Sequence, residues 1–365
     1  MENMVSAAAR LKGRRVFITG HSGFKGAWLS RWLASHGAEV TGYALPPETE
    51  PNLWELLGAT DIQSIYGDLN DRASLDAALD KAQPEVVFHL AAQALVRRSY
   101  ANPVETFASN VLGTVQLLDA IRAVSSVRSI VVATSDKAYE NKEQIWGYRE
   151  GDPMGGHDPY SASKGATEIA AAAMRRSYFG SASRDHPALL ACARAGNVIG
   201  GGDWAEDRLI PDIVRGCLGQ KGEVTLRQPN SIRPWQHVLE PLDGYCRLAV
   251  ALLNGDMVDE GWNFGPGRDD ERPVIQVAQA IVGALGKGSI QIDSNAADLH
   301  EAKLLRLDVT KARTQLGWRP VWDFDKTIAQ TADWYGAWAN GADVADLCKT
   351  QIAEFEADLA TKAEW

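Results

Sequence analysis

Short apolar runs alternate with amphipathic stretches from residue 14 to about residue 200. RRVFITG, EVTGYAL, QSIYGDL, EVVFHLAA and SIVVATSD are near-continuous apolar runs, the pattern of strands buried on both faces of a parallel sheet. Helical spacing fills the intervals over Phe24–Ser35, 74–82 and 104–123. A sixth strand, ALLACARAGNVIG, follows a helical stretch that begins near Tyr160. Such alternation implies right-handed crossovers and an α/β fold with a doubly wound parallel sheet.

Beyond residue 200 the periodicity loosens. GGGDWAEDRLIP and RQPNSIRPWQH are rich in Gly, Pro, Trp and Arg and read as loops that cover a site. Helical spacing returns over Leu239–Leu253, Val274–Leu285 and 325–338, and the acidic, Ala-rich end reads as a C-terminal helix. The expected organisation is a nucleotide-binding domain over 12–200 that carries the chemistry and a smaller C-terminal substrate-binding lobe over 201–340. Some lobe segments return to the first domain, and 341–365 forms the terminal helix.

Composition narrows the function. The 365 residues are 45% apolar and suffice for one large core or two. A net charge of −10 argues against generic binding to nucleic acid or an anionic membrane, so an anionic ligand must be held by local groups. Cys192, Cys217, Cys246 and Cys348 form no CxxC pair, which implies neither a disulfide framework nor a zinc site and fits a reducing cytoplasm. The N-terminus is not a signal peptide, and no apolar run approaches the ~18 residues of a membrane span. A soluble cytoplasmic protein without a metal is expected.

Two motifs carry chemistry. Gly20, Gly23 and Gly26 in TGHSGFKGAWL follow the first strand and enter the first helix. Glycines there permit a tight turn and close approach to a pyrophosphate, which rests on the helix N-terminus; this marks a Rossmann dinucleotide site. His21, Phe24 and Lys25 belong to the same loop, and Lys25 adds positive charge. Asp68 and Leu69 are placed at an adenine. His89 ends the fourth strand as a buried structural histidine, and Ala91, Ala92 and Gln93 follow it along the cofactor. The second strand ends GYALPP, with neither the acid that grips a ribose hydroxyl nor an arginine for a 2′-phosphate; NAD is favoured over NADP.

The second motif is YSASK, which sets Tyr160 and Lys164 on one helical face. A lysine beside a tyrosine favours the phenolate, lowering its pKa from about 10 so that it can take a proton from a sugar hydroxyl. A surface Tyr and Lys at this spacing is the commoner case, so the pair depends on its surroundings.

GHSGFKG, HLAAQ, TSDKAY, YSASK, RAGNVIGGGDW, RPWQHV, WNFGP and LGWRP occur in an order that resembles the extended short-chain dehydrogenase/reductase family. The resemblance covers most of the chain. It points to the nucleotide-sugar 4,6-dehydratase branch, through the lysine of GHSGFKG, TSDK and RPWQHVLEPL to its CDP-glucose-using members. The dTDP-sugar members carry Thr-Asp-Glu where this chain has Ser135-Asp136-Lys137.

The resemblance implies a lyase reaction with internal redox at bound NAD, in deoxysugar biosynthesis that feeds lipopolysaccharide. Tyr160 would be the base for the 4-hydroxyl, Lys164 would hold the nicotinamide ribose, and Ser135 would donate to the same oxygen. Once C4 is a carbonyl the C5 proton is acidic, and elimination needs a base at C5 and an acid at C6. Asp136, with a raised pKa, is assigned the acid and Lys137 the base; as a bare motif they equally describe a solvated ion pair at a strand end.

Arg233 and Arg194 are expected to neutralise the substrate phosphates, since guanidinium pairs bidentately with phosphate. Asn197 would donate to a phosphate or the sugar. Arg208 and Leu209 would lie on a lid, and Arg306 would close over the nucleotide. His237 suggests nucleotide contact or packing, and Trp204 and Trp235 stack on a base or belong to the core. A 4-epimerase, a dehydratase for another nucleotide-glucose and a non-enzymatic dinucleotide sensor are the competing readings. The family further implies a homodimer or dimer of dimers, built from the helices after the fourth and fifth strands; Ala166, Ala170 and Ala173 permit close helix contact.

Overall fold

The computed structural model describes residues 6–182, 185–219, 222–293 and 304–362. Seven parallel strands form one sheet: β1 Arg15–Thr19, β2 Glu39–Ala44, β3 Gln63–Tyr66, β4 Val86–His89, β5 Ser129–Ala133, β6 Leu189–Ala195 and β7 Gly261–Phe264. Their order is β7-β6-β5-β4-β1-β2-β3. The order reverses between β1 and β4, so the loops after these two strands open a crevice at the carboxyl edge.

Successive side chains feed opposite cores, as strand geometry requires. Phe17, Val87, Ile130, Val132 and Leu190 pack on one face, beneath the helices Arg72–Ala82, Gly113–Ile121 and Pro159–Met174. Val16, Ile18, Phe88, Val131 and Ala191 pack on the other, beneath Phe24–Ser35 and Leu239–Leu253. Both faces are covered, which is why these strands read as continuous apolar runs.

Several expectations are corrected. The stretch 104–123 is not one regular helix: Pro103–Phe107 passes through a π-helical turn, Ala108–Leu112, into Gly113–Ile121. The sixth apolar run divides, with β6 in the main sheet and Val198–Ile199 pairing instead with Gln236–His237. Asp68 and Leu69 lie in the loop beyond β3 rather than at its end. Apart from these corrections, segments after residue 200 return to the sheet: the helix Leu239–Leu253 covers it, and β7 pairs with β6. The remaining lobe holds the parallel pair Glu223–Leu226 and Ser289–Ile292 and the antiparallel pair Ile232–Pro234 and Glu271–Pro273. A last helix spans Val344–Lys362; residues 363–365 lie outside the described part. No helix among the described residues is long and apolar enough to cross a membrane.

Candidate active site

Asp158 starts the tyrosine helix. Its carboxylate accepts from Ser161 N at 2.9 Å, and Pro159 occupies the first helical position, where a missing N–H costs nothing. Tyr160 therefore sits in the first turn and Lys164 one turn later, at 8% and 5% exposure. Tyr160 N donates to Ser99 Oγ at 3.1 Å, which fixes this helix end against its neighbour.

The TSDK segment leaves β5 into a 3-10 turn, Asp136–Ala138. Ser135 Oγ accepts from Lys137 N at 3.2 Å and donates to Asp136 Oδ1 at 2.9 Å. Asn197 Nδ2 donates to the other carboxylate oxygen at 3.4 Å from a left-handed backbone position, φ 49°. Gly196 makes room for this arrangement: a Cβ there would lie 1.9 Å from Asp136 Oδ2. Lys137 Nζ stands 6.0 Å from the Tyr160 ring centroid. Asp136 and Lys137 therefore form no ion pair with each other; both face a cavity.

Two cavities of about 370 Å³ each meet at Tyr160. The first lies over the glycine loop and is walled by Gly20, Gly23, Phe24, Lys25 and Gly26. Asp68, Leu69, Ala91, Ala92 and Gln93 form its far side, and Lys164 closes it. A Cβ on Gly26 would meet Gly20 O at 2.0 Å, so only glycine lets the loop fold onto the helix N-terminus. The second cavity is lined by Asp136, Lys137, Asn197, Leu209 and Arg233. Ser135, Tyr160 and Arg208 belong to both walls. Arg208 precedes the helix Leu209–Leu218 and pairs with Asp203 at 3.0 Å.

Burial raises the Tyr160 hydroxyl above the ordinary phenol value; hydrogen bonding with Ser135 and the charge of Arg208 oppose it. This corrects the expectation of a phenol lowered by Lys164. Lys164 is itself pulled down to about 8 by burial, with Glu168 opposing. Lys25 falls to about 7, through burial and then the charges of Arg208 and Lys164.

Four expected site residues lie elsewhere. His21 turns its ring away from the glycine-loop cavity, packs on Gly42 and Trp54, and bonds Ser64 Oγ at 2.7 Å. Arg194 is not a phosphate ligand: its guanidinium donates to both Glu168 oxygens at 2.9 Å and to Tyr139 Oη at 2.6 Å, away from both cavities. Arg306 donates to Glu271 Oε2 at 2.7 Å and to Ile145 O at 2.9 Å and lines neither cavity. His237 is fully buried between Trp28 and Trp322, and burial pulls it to about 3. His89 bonds Thr19 and Thr114 within the sheet core, as a structural histidine does.

Other wall residues went unassigned. Arg227 and Gln228 line the second cavity from RQPNSIRPWQH, a segment whose Pro- and Arg-rich character already marked it as a site loop, and Trp235, expected at a base or in the core, lines it beside them. Trp204, likewise expected at a base or in the core, lines the glycine-loop cavity while packing at a tilt on Trp338. The segment 45–49 closes that cavity beside the end of β2, where only its prolines signalled a turn. Among the described residues no cluster of His, Cys, Asp or Glu could hold a metal ion.

A CDP-glucose 4,6-dehydratase from Salmonella typhimurium is 47% identical over 347 residues, covering 94% of this chain and 96% of that one. A UDP-glucose 4-epimerase from Mycolicibacterium smegmatis is 28% identical, covering 88% and 98%. The solved structure of MoeE5 in complex with UDP-glucuronic acid and NAD superimposes with a TM-score of 0.72 at 25% identity, covering 87% of this chain and 98% of that one. The family model described as GDP-mannose 4,6 dehydratase matches residues 17–331, and the chain belongs to that family.

Proposed function

We propose that the protein is an NAD-dependent hydro-lyase that converts CDP-glucose to CDP-4-dehydro-6-deoxyglucose and water. One observation carries the reading beyond the family: Asp136 and Lys137 face the second cavity beside the hydroxyls of Ser135 and Tyr160. A 4-epimerase needs the hydroxyl pair but no elimination pair. The Salmonella relative supports the CDP-sugar.

The glycine-loop cavity suits a dinucleotide, because Gly20 and Gly26 bare the N-terminus of the helix Phe24–Ser35 toward it. Arg98 on its wall is held by Glu48 and Glu105, each at 2.6 Å; that commitment favours NAD over NADP. NAD, when bound, takes hydride from C4 of the sugar and returns it at C6. Tyr160 would accept the 4-hydroxyl proton as its phenolate, and Ser135 would hold the same oxygen. Burial disfavours the phenolate in the ligand-free protein, and the positive charge of bound NAD⁺ together with Arg208 would favour it. Lys137 takes the C5 proton while Asp136 protonates the departing C6 hydroxyl, so the C6–O bond breaks and water leaves; when hydride is returned at C6, Lys137 gives a proton back to C5. Arg233, Arg227 and Arg208 hold the substrate pyrophosphate, with Asn197 and Leu209 beside the sugar.

The glycine-loop cavity lies mainly on residues before 200, which supports a cofactor domain beside a substrate lobe, although its wall also takes Gly202, Asp203, Trp204, Ala205 and Arg208. Val104, Phe107, Leu112 and Ile169 are exposed apolar residues on the adjacent helical segments 103–121 and Pro159–Met174, which supports a homodimer through those helices. The four cysteines are all free and buried, as a cytoplasmic protein permits. The test incubates the protein with NAD⁺ and CDP-, dTDP-, UDP- or GDP-glucose. A 4-keto-6-deoxy product from CDP-glucose alone is expected. A galactose epimer, or no product from any of them, refutes the assignment.

A further inference from the structure

The wall common to the two cavities carries five polar side chains: Lys25, Ser135, Tyr160, Asp203 and Arg208. Four are accounted for. Ser135 and Tyr160 meet the reacting sugar, and Arg208 is paired with Asp203 at 3.0 Å. Lys25 is different. Among the described residues nothing forms a hydrogen bond or ion pair with its ammonium group.

Its position is otherwise unfavourable. Lys25 lies in the first turn of the helix Phe24–Ser35, where the helix dipole is positive and a cation is destabilising. Arg208 and Lys164 add like charge, and the side chain is half-buried. Asp136 and Asp203 pull the other way without coming within ion-pair distance. Tyr160, which joins the same wall, is raised by burial and so carries no charge to offer. Nothing in the fold rewards a lysine here. Negative charge from outside the chain would.

We infer that Lys25 is a ligand-contacting residue shared by the cofactor and substrate sites, its ammonium completed by the pyrophosphates that occupy the two cavities. The inference rests on the reading of those cavities as dinucleotide and nucleotide-sugar sites. It extends Lys25 from a loop charge beside the cofactor to a group that couples the two ligands.

Proton linkage follows. Without ligand, burial and the neighbouring cations hold Lys25 to about 7. Arriving phosphates favour its charged form and raise that value. Below the ligand-free value Lys25 is charged in both states, and the attraction is present in full. As pH rises through the higher ligand-bound value the attraction is lost. Between the two values, binding takes up as much as about one proton per site.

The experiment is titration calorimetry of NAD⁺, and of CDP onto the NAD⁺ complex, in buffers of differing ionisation enthalpy near pH 8. The wild type, Lys25→Met and Lys25→Arg are compared. Wild type takes up protons. Lys25→Met loses that uptake and binds CDP at least about tenfold more weakly, while Lys25→Arg keeps most of the affinity without the uptake. Ligand-free Lys25→Met melts at or above the wild-type temperature, since it removes a half-buried amine crowded by like charges; a structural role would lower it. Wild-type affinity and proton uptake in Lys25→Met overturn the assignment. A wild type that binds neither ligand overturns the reading of the cavities, and the assignment with it.

Discussion

Replacing Arg194 by methionine removes a guanidinium that donates to both Glu168 oxygens at 2.9 Å and to Tyr139 Oη at 2.6 Å. Methionine fills most of the space, so the loss is of charge and hydrogen bonds rather than volume. Glu168 then stays buried, with its remaining hydrogen bonds from Thr134 and Cys192. Removing one partner of a buried ion pair costs about 3–5 kcal/mol. With unfolding entropy of about 2.1 cal/mol/K per residue, a chain of 365 residues loses about 4–7 °C in Tm.

The pH dependence has a definite sign. Burial pushes the Glu168 carboxyl up, but Arg194 outweighs it and holds the group below its ordinary 4.5. The contribution of the pair is therefore present above 4.5 and lost as pH falls through the lower folded value. In Arg194→Met burial acts without the cation, Glu168 rises, and protonation relieves the variant. Melting curves of the two proteins should diverge at neutral pH and converge as pH falls below about 5. KM for the nucleotide sugar, measured well below Tm, should not change. A KM raised tenfold with Tm intact would refute the structural role and restore Arg194 as a phosphate ligand.

Gly196→Ala places a Cβ 1.9 Å from Asp136 Oδ2 and must displace the carboxylate; product formation should fall at least about 100-fold, while reduction of bound NAD⁺ by the sugar, followed in single-turnover absorbance, persists. Lys137→Ala should likewise keep C4 oxidation and lose elimination, read as loss of solvent deuterium incorporation at C5; exchange at the wild-type rate excludes Lys137 as the base. Gly26→Ala drives a Cβ to 2.0 Å from Gly20 O and should abolish NAD⁺ binding by calorimetry while costing about 1–3 kcal/mol of stability. His237→Phe should shift Tm without altering KM or the pH profile of kcat/KM, because burial already keeps this imidazole neutral above about 3.

Six of the seven strands were readable because burial on both faces writes them as apolar runs. The seventh, Gly261–Phe264, was not: GWNF is four residues with a glycine and an asparagine, too short to show any period. Its place beside β6 arises only when the chain returns from the lobe through the helix Leu239–Leu253. Without that return the division near residue 200 looks cleaner in sequence than it is in space.

The site divides along the same line between local and distant. Glycine spacing and the Tyr160–Lys164 interval are local, and the structure places all of those residues at the cavities. Arginines are legible as charges but not as partners. Glu168, which claims Arg194, sits on the tyrosine helix, and Glu271, which claims Arg306, on the antiparallel strand pair of the lobe; no pattern along the chain joins either pair. The same limit applies to the acidity of Tyr160. The i, i+4 spacing sets the lysine beside the tyrosine, but burial raises the phenol, and the groups that oppose it most are Ser135, from the end of β5, and Arg208, from the start of a lobe helix. Position is thus fixed by one helix, whereas proton affinity is set by segments that meet only in the folded chain. Removing the Arg208 guanidinium would leave the YSASK geometry intact and the tyrosine a poorer base-forming group, because one of the two groups that most oppose its burial would be gone.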